Sequence, residues 1–379
     1  MKTLFLLFHG FEEWNIGIGK KITYQKNALI HCGLEVELCY LTIDQNGYHK
    51  RMIDGEVLEN YGKGFLAKIK KRICYSHLTE YILNKGIKFL YIRSFHNANP
   101  LLIRMIKKIS GSGIKIVMEI PTYPYDFEYK NISLSDHIRI TIDKIFRRQL
   151  AKYINHIVTF ANDKTIFGIP AINISNGIDF ANIKMKTKVN RDPHRIRLIG
   201  VAEIHFWHGF DRVLAGMGKY YQKKRDVSVF FDIVGAGVPE ELNKLTALSK
   251  SHNLEKFVTF HGSKSGDNLD QLFEEADMGI ASLGRHRSQI THIKPLKNRE
   301  YAARGIPFVY SEIDDDFEQM PYIMKAPPDE TPLDIEKIVV FFFGLDFRPI
   351  EIRETIIDKL SWDTQMKRVV EIALNKNKS

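Results

Sequence analysis

Lys297 and Glu300 stand three residues apart in Pro295-Leu296-Lys297-Asn298-Arg299-Glu300-Tyr301, at the start of a segment with helical period. That spacing lets both side chains face one way from a single turn. An ammonium at a helix start, next to amides that have no partner within the helix, is equipped to hold an anion. The plain alternative is a helical surface ion pair, with Glu300 meeting Lys297 or Arg304. Two glycine clusters suit the same chemistry. Asn15-Ile16-Gly17-Ile18-Gly19 follows a strand candidate and precedes a helix, and Gly235-Ala236-Gly237 follows a strand in the other half. Glycine lets backbone N–H groups approach an anion closely at a helix N-terminus. The first cluster lacks the third glycine and acidic partner of a dinucleotide fingerprint, and a tight strand-to-helix turn explains it equally well.

Further positions carry groups able to do chemistry. Glu119 ends a strand in Met118-Glu119-Ile120-Pro121-Thr122-Tyr123-Pro124, His208 follows Trp207, and His292 precedes the Lys297 segment. Each has a bland reading: a solvated strand-end carboxylate for Glu119, a packed loop residue for His208, and a solvated side chain for His292. Tyr123-Pro124-Tyr125 is either an acceptor platform or a turn that stiffens a loop.

Short apolar runs alternate with segments of helical period, the pattern of a parallel sheet covered by helices. Strands are expected at Leu4 to Phe8, Val36 to Leu41, Phe89 to Ile92, Ile114 to Glu119 and His156 to Phe160, with helices at Lys20 to His31, Pro100 to Ser110 and Ser135 to Lys152. The segment from Ala181 to Arg195 is polar, contains Pro193 and lacks periodicity, which reads as a linker. The cycle then restarts. Strands are expected at Ile196 to Val201, Val227 to Val234, Phe257 to His261, Met278 to Ala281 and Phe308 to Tyr310, with helices at Phe210 to Gln222, Pro239 to His252, Asn268 to Glu275 and Leu296 to Arg304. The expected organisation is an α/β fold of two doubly wound domains, 1–180 and 196–355, joined by 181–195. A last helix within 356–379 is expected to pack back on the first domain.

The order of these pieces resembles the retaining glycosyltransferases of family four. The similar elements are Ile174-Ser175-Asn176-Gly177-Ile178-Asp179, Trp207-His208-Gly209-Phe210-Asp211-Arg212-Val213-Leu214, the Gly17-Ile18-Gly19 loop with Gly33-Leu34-Glu35-Val36, the segment Pro295 to Pro307, and Ser361-Trp362-Asp363. The resemblance spans most of the chain and is weakest from Gly47 to Lys88. It implies the GT-B fold, two Rossmann-like domains facing a central cleft, and transfer of a sugar from a UDP- or GDP-sugar to a glycan or polyprenyl-diphosphate-linked acceptor in cell-surface polysaccharide or capsule synthesis. It further implies that Gly17, Gly19, His208, Gly235, Lys297 and Glu300 bind the donor. Lys297 and His208 would clamp the diphosphate and Glu300 would hold the ribose. Catalytic roles fall to His292, touching the transferred sugar, and to Glu119, orienting the acceptor or stabilising an oxocarbenium-like sugar.

The chain also departs from the family pattern. His292 stands where the first of two spaced glutamates belongs, Glu203 lies near the expected arginine, His208 replaces a lysine, and Glu119 replaces a histidine. A subset of polysaccharide-assembly transferases shares the Trp-His-Gly and Pro-Leu-Lys-x-Arg-Glu-Tyr elements. The departures keep two alternatives open: a non-catalytic scaffold of the same fold, and a sugar-nucleotide epimerase.

Composition is that of an ordinary globular chain, with 379 residues, 44% hydrophobic and 26% charged. No apolar run approaches the roughly 20 residues of a membrane span, and the start lacks a signal-peptide pattern. Cys32, Cys39 and Cys74 have neither disulfide nor metal-type spacing, so a cytoplasmic protein without cofactor or metal is expected. The sequons Asn131-Ile132-Ser133 and Asn173-Ile174-Ser175 carry no meaning in that compartment. Of the formal charge of +10, residues 1–180 contribute 25 Lys+Arg against 16 Asp+Glu, and the remainder 30 against 29. The excess concentrates at Lys63, Lys68, Lys70, Lys71 and Arg72, and again at Arg139, Lys144, Arg147, Arg148 and Lys152. The second stretch is either the solvated face of a core-packed helix or, with Arg147 and Arg148 as contacts, a seat on anionic lipid at the inner leaflet. Nucleic acid is not expected, because aromatic residues do not interleave with the cations.

Overall fold

Runs such as Leu4-Phe5-Leu6-Leu7, apolar at every position, are strands whose two faces are both covered. The computed structural model describes residues 1–11, 17–94, 96–125, 134–187 and 192–374. Asn15 and Ile16 of the first glycine loop, the sequon at Asn131 and Lys188 of the expected linker lie outside the described residues. By its internal contacts the chain divides into a first unit, Met1–Ser175 with Trp362–Ser379, and a second, Asn176–Ser361.

The first unit begins with β1 (Lys2–Gly10), α1 (Gly17–His31) and β2 (Glu35–Ile43). A hairpin of β3 (His49–Ile53) and β4 (Glu56–Gly62) follows, then α2 (Gly64–Ile73) and α3 (Ser76–Asn84). It continues through β5 (Phe89–Arg93), α4 (Pro100–Gly111), β6 (Lys115–Ile120), α5 (Leu134–Ala151), β7 (His156–Thr159), β8 (Thr165–Ile166) and β9 (Ile169–Asn173). Among the described residues these strands form one sheet in the order β4-β3-β2-β1-β5-β6-β7-β9-β8. The run from β2 to β9 in that order is parallel, and the hairpin at one edge is antiparallel. Alternate residues of β1 feed opposite cores: Leu4 and Leu6 pack with α3 and α4, Phe5 and Leu7 with α1. The second core is closed by Trp362, Met366, Val369 and Val370 of the last helix, which returns to this unit.

The hairpin, α2 and α3 fall in the stretch from Gly47 to Lys88, and the sequence reading contains none of them. Its signal is Asp54-Gly55, whose residues take φ of 43° and 91°. That is the left-handed pair a two-residue hairpin turn requires.

The second unit runs β10 (Arg195–Val201), α6 (Phe210–Tyr220), β11 (Ser228–Val234), α7 (Pro239–Ser251), β12 (Val258–Gly262), α8 (Gly266–Glu275) and β13 (Met278–Ile280). It closes with α9 (Leu296–Arg304), β14 (Phe308–Tyr310), β15 (Ile323–Lys325), α10 (Ile335–Gly344) and α11 (Pro349–Ile357), and α12 (Trp362–Ala373) then joins the first unit. Its strands pair wholly in parallel, in the order β12-β11-β10-β13-β14-β15. This is the doubly wound 3-2-1-4-5-6 order, in which ligands bind beyond the carboxyl ends where the winding reverses, here between β10 and β13.

The segment read as a linker is partly built into the second unit. Lys186 donates from its backbone to Arg304 O at 2.8 Å and from Nζ to Glu274 O at 2.7 Å, and Thr187 N meets the Glu274 carboxylate at 3.1 Å. Asn176-Gly177-Ile178-Asp179 also belongs here. Asn176 Nδ2 donates to Lys294 O at 2.6 Å and its carbonyl accepts from Arg299 Nε at 3.1 Å, which pins the segment leading into α9. No helix among the described residues is long and apolar enough to cross a membrane.

Candidate functional site

The loops beyond β10, β13 and β14 bring His208, Arg285, Lys297 and Glu312 together. After β10 a short 3-10 turn, Phe206–His208, ends at Gly209, which has φ of 66°. A Cβ at Gly209 would lie 2.8 Å from Leu283 and Gly284 backbone atoms. The two loops are stitched by Leu283 N to His208 O at 2.9 Å and Gly284 N to Trp207 O at 3.2 Å. Trp207 stacks on His205 at 4.2 Å, and the Arg285 guanidinium sits 5.6 Å from the Trp207 ring.

Lys297 is the group this arrangement leaves unsatisfied. Its Nζ is buried and has no hydrogen-bond partner among the described residues, with the Phe210 ring 5.5 Å away. Burial first, and the Arg285 charge second, hold its pKa well below the ordinary lysine range. His208 is buried too. Its Nδ1 accepts from His205 N at 3.1 Å, and desolvation followed by the charges of Lys297 and Arg285 pushes its pKa far down, so the imidazole is neutral. Glu312, just beyond β14, has both carboxylate oxygens buried and without a hydrogen-bond partner among the described residues, and burial lifts its pKa to about 7. Burying Lys297 and Glu312, both without hydrogen-bond partners among the described residues, costs the fold free energy that a hydrogen-bonding ligand would relieve.

Glu312 gives the first prediction. Its pKa is raised in the fold, so the folded state binds more protons than the unfolded state between pH 4.5 and 7 and its relative stability falls as pH rises through that window. The variant Glu312→Gln is therefore more stable than the parent at pH 8, by on the order of 2 kcal/mol, and equal to it at pH 4.5. Thermal melts across this range check the crossover.

The other expected site residues separate. Glu300 meets Arg304 at 3.0 Å within the helix, and Arg304 also holds Asp270 at 2.8 Å, so the helical ion pair is present. His292 is exposed, 3.7 Å from Asp315. Its neighbours pair with the Glu312 segment through Ile293 N to Ile313 O at 3.0 Å and Ile313 N to Thr291 O at 2.8 Å. Glu203 is exposed, 3.6 Å from His205. At Gly235, φ is 136° and a Cβ would stand 1.7 Å from Ala202 O. This glycine serves a close crossing of two backbones. Gly17 opens α1, and Gly19 is buried in its first turn, its carbonyl accepting from Thr23 Oγ1 at 3.2 Å.

Glu119 corrects an expectation. It is fully buried in β6, with Oε2 accepting from Gln25 and Tyr91 at 2.7 Å each, while Arg93 binds Oε1 and Lys21 lies 3.8 Å away. Burial opposes the charge, but the Arg93 and Lys21 cations and the hydrogen bonds prevail, and the pKa is lowered. With its oxygens engaged and shielded from solvent, this carboxylate ties α1, β5 and β6 together rather than presenting itself to a substrate. Glu119→Ala leaves Arg93 and Lys21 buried without their counter-charge, an expected loss of about 3–5 kcal/mol by denaturant titration.

The expected contacts of α5 are corrected at Arg147. Its guanidinium lies 5.1 Å from the Tyr125 ring and 4.9 Å from the Phe167 ring, and Tyr123 packs edge-on to Phe167 at 5.8 Å. Arg147 is thus engaged in packing, whereas Arg148 is exposed. Two members of this cluster, Arg285 and Glu312, are absent from the sequence reading. Nothing in their local sequence marks them: Glu312 comes to Lys297 through the pairing of β13 with β14, and Arg285 through the path of the connection between β13 and α9. Among the described residues, no three His, Cys, Asp or Glu side chains are grouped as metal ligands.

Comparison with known proteins places this geometry in a fold class. No protein-family model matches the chain, and no curated protein matches its sequence. Solved structures do. Sucrose-phosphate synthase from Thermosynechococcus elongatus aligns over 99% of this chain and 98% of its own at a TM-score of 0.67 with 13% identity. A glycosyltransferase from Rickettsia africae aligns over 100% and 98% at 0.64 with 12% identity. The catalytic domain of starch synthase IV from Arabidopsis thaliana, bound to ADP and acarbose, aligns over 99% of each chain at 0.64 with 11% identity. The fold is GT-B, with two Rossmann-like domains.

Proposed function

We propose that the protein is a glycosyltransferase that takes a sugar from a UDP- or GDP-sugar, with retention of configuration, and delivers it to a glycan or polyprenyl-diphosphate-linked acceptor in cell-surface polysaccharide synthesis. The observation that carries the reading is the buried Lys297 Nζ, without a hydrogen-bond partner among the described residues and under the charge of Arg285, at the switch point of the second sheet. A leaving diphosphate develops charge as the glycosidic bond breaks, and basic groups placed in advance stabilise that charge. A starch synthase domain of this fold is bound to ADP, which supports a nucleotide ligand, and doubly wound sheets take ligands beyond the carboxyl ends of their strands.

Burial lifts the Glu312 pKa to about 7 and shifts Lys297 toward its neutral form. An arriving diphosphate restores the charge on Lys297, with Arg285 beside it and neutral His208 as a hydrogen-bonding group. Glu300 holds the ribose once Arg304 shares it, and His292 on its exposed loop touches the transferred sugar. The basic first unit receives the acceptor and lies against the anionic lipid surface that carries it.

A panel of UDP- and GDP-sugars tests the reading, first by thermal shift and then by turnover with membrane-extracted acceptors. Ligand at a hundred times its dissociation constant adds about 2.7 kcal/mol. A stabilising donor that is also consumed supports the transferase. Occupation of Glu300 by Arg304 favours a second reading, a non-catalytic scaffold, and that reading predicts no nucleotide binding. Donor conversion without any acceptor would mark an epimerase.

A further inference from the structure

The basic stretch from Lys63 to Arg72 forms α2, and its exposure pattern is the reverse of a core-packed helix. Only Ala67 is buried, against Leu41 and Tyr61, while Phe65 is 75% exposed, Leu66 68%, Ile69 39% and Ile73 40%. At 3.6 residues per turn, Phe65, Leu66, Ile69 and Ile73 fall within an arc of about 100°, and Ala67 lies about 150° from its centre. The large apolar stripe therefore points away from the protein. Lys70 flanks it on one side, with Lys63 at the preceding cap position, and Lys68 and Arg72 flank it on the other. No acidic residue occurs in the helix. Lys63 Nζ also sits 4.3 Å from the ring of Tyr48, itself partly exposed, beside the start of α2.

We propose that α2 is the element by which the first unit seats on an anionic lipid leaflet, its Phe65-Leu66-Ile69-Ile73 stripe entering the acyl boundary and its flanking cations meeting headgroup phosphates. An apolar stripe edged by cations is the pattern of an interfacial helix, where burial and attraction to anionic lipid act together. The absence of any acidic side chain from the helix selects an anionic surface. The inference rests on the lipid-surface part of the proposed function and moves the contact from α5, whose Arg147 is engaged with Tyr125 and Phe167.

The test is co-sedimentation of the full chain with vesicles of phosphatidylcholine alone or with about 30% phosphatidylglycerol, at low and high salt. The expected result is binding to the anionic vesicles only, weakened by salt. It falls at least tenfold in Phe65→Asp/Leu66→Asp, and loses most of its salt dependence in Lys68→Gln/Lys70→Gln/Arg72→Gln. Nucleotide binding on the same preparations stays unchanged. Should the double aspartate variant not fold, Phe65→Trp replaces it, and its added emission is expected to be quenched by brominated acyl chains. Binding kept by the α2 variants but lost in Lys144→Gln/Arg148→Gln overturns the assignment to α2 and leaves the lipid reading standing. No vesicle binding by the parent chain overturns both, whatever its nucleotide affinity. A dimer that Phe65→Asp/Leu66→Asp disperses, without vesicle binding, assigns the stripe to a second copy and overturns the proposal.

Discussion

Lys297→Met is expected to lower affinity for the nucleoside diphosphate about a hundredfold while raising the melting temperature. The two effects share one cause. Without ligand the Lys297 Nζ is buried, has no hydrogen-bond partner among the described residues and feels the Arg285 charge, so keeping its proton or giving it up is in either case a cost to the fold. Methionine fills a similar volume without that cost, and replacing a poorly compensated buried charge in this way stabilises by about 1–3 kcal/mol. When a diphosphate occupies the site the same ammonium becomes a charge-assisted donor in a dry environment. Losing it costs roughly 2–5 kcal/mol, and a hundredfold corresponds to about 2.8 kcal/mol. A lysine that only supported the fold would show the opposite stability change. Melting curves with and without UDP or GDP, together with donor turnover, check both halves.

Arg299→Met is expected to be among the most destabilising single changes in the second unit. Arg299 is fully buried and binds Asp314 through both terminal nitrogens, Asp316 through one of them, Pro295 O at 3.1 Å and Asn176 O at 3.1 Å. Without it Asp314, itself fully buried, keeps only Asn298 Nδ2 at 3.0 Å and local backbone donors. An uncompensated buried carboxylate costs about 3–5 kcal/mol. The effect also has a pH signature. Burial already raises the Asp314 pKa against the pull of Arg299, and removing the arginine raises it further. The penalty is then full at neutral pH and shrinks as acid protonates Asp314, because a raised folded pKa favours the folded state at low pH. Denaturant titrations at pH 7.5 and pH 5 measure it, and Arg299→Met/Asp314→Asn should recover part of the loss at pH 7.5.

These two neighbours on α9 show where sequence reading succeeds and where it stops. The elements that build the parallel cores were legible from apolar runs such as Leu4 to Phe8 and Met278 to Ala281, because strands covered on both faces are mostly apolar. The hairpin of β3 and β4 was not legible, since its residues alternate weakly and only Asp54-Gly55 marks the turn. Lys297 could be singled out because its place at a helix start is local information. Glu312 and Arg285 could not, because Glu312 reaches Lys297 through the pairing of β13 with β14 and Arg285 through the path of the irregular connection between β13 and α9. Glu119 shows the reverse failure. A strand-end carboxylate looks available in sequence, and only the fold reveals that Gln25, Tyr91, Arg93 and Lys21 enclose it.

The most direct measurement of the central claim is calorimetric titration of the parent chain and Lys297→Met with UDP and GDP. The account predicts saturable binding of at least one of them to the parent, about a hundredfold weaker in the variant, with the variant melting higher when empty. Absence of binding by the parent chain, or equal affinity in parent and variant, would contradict it.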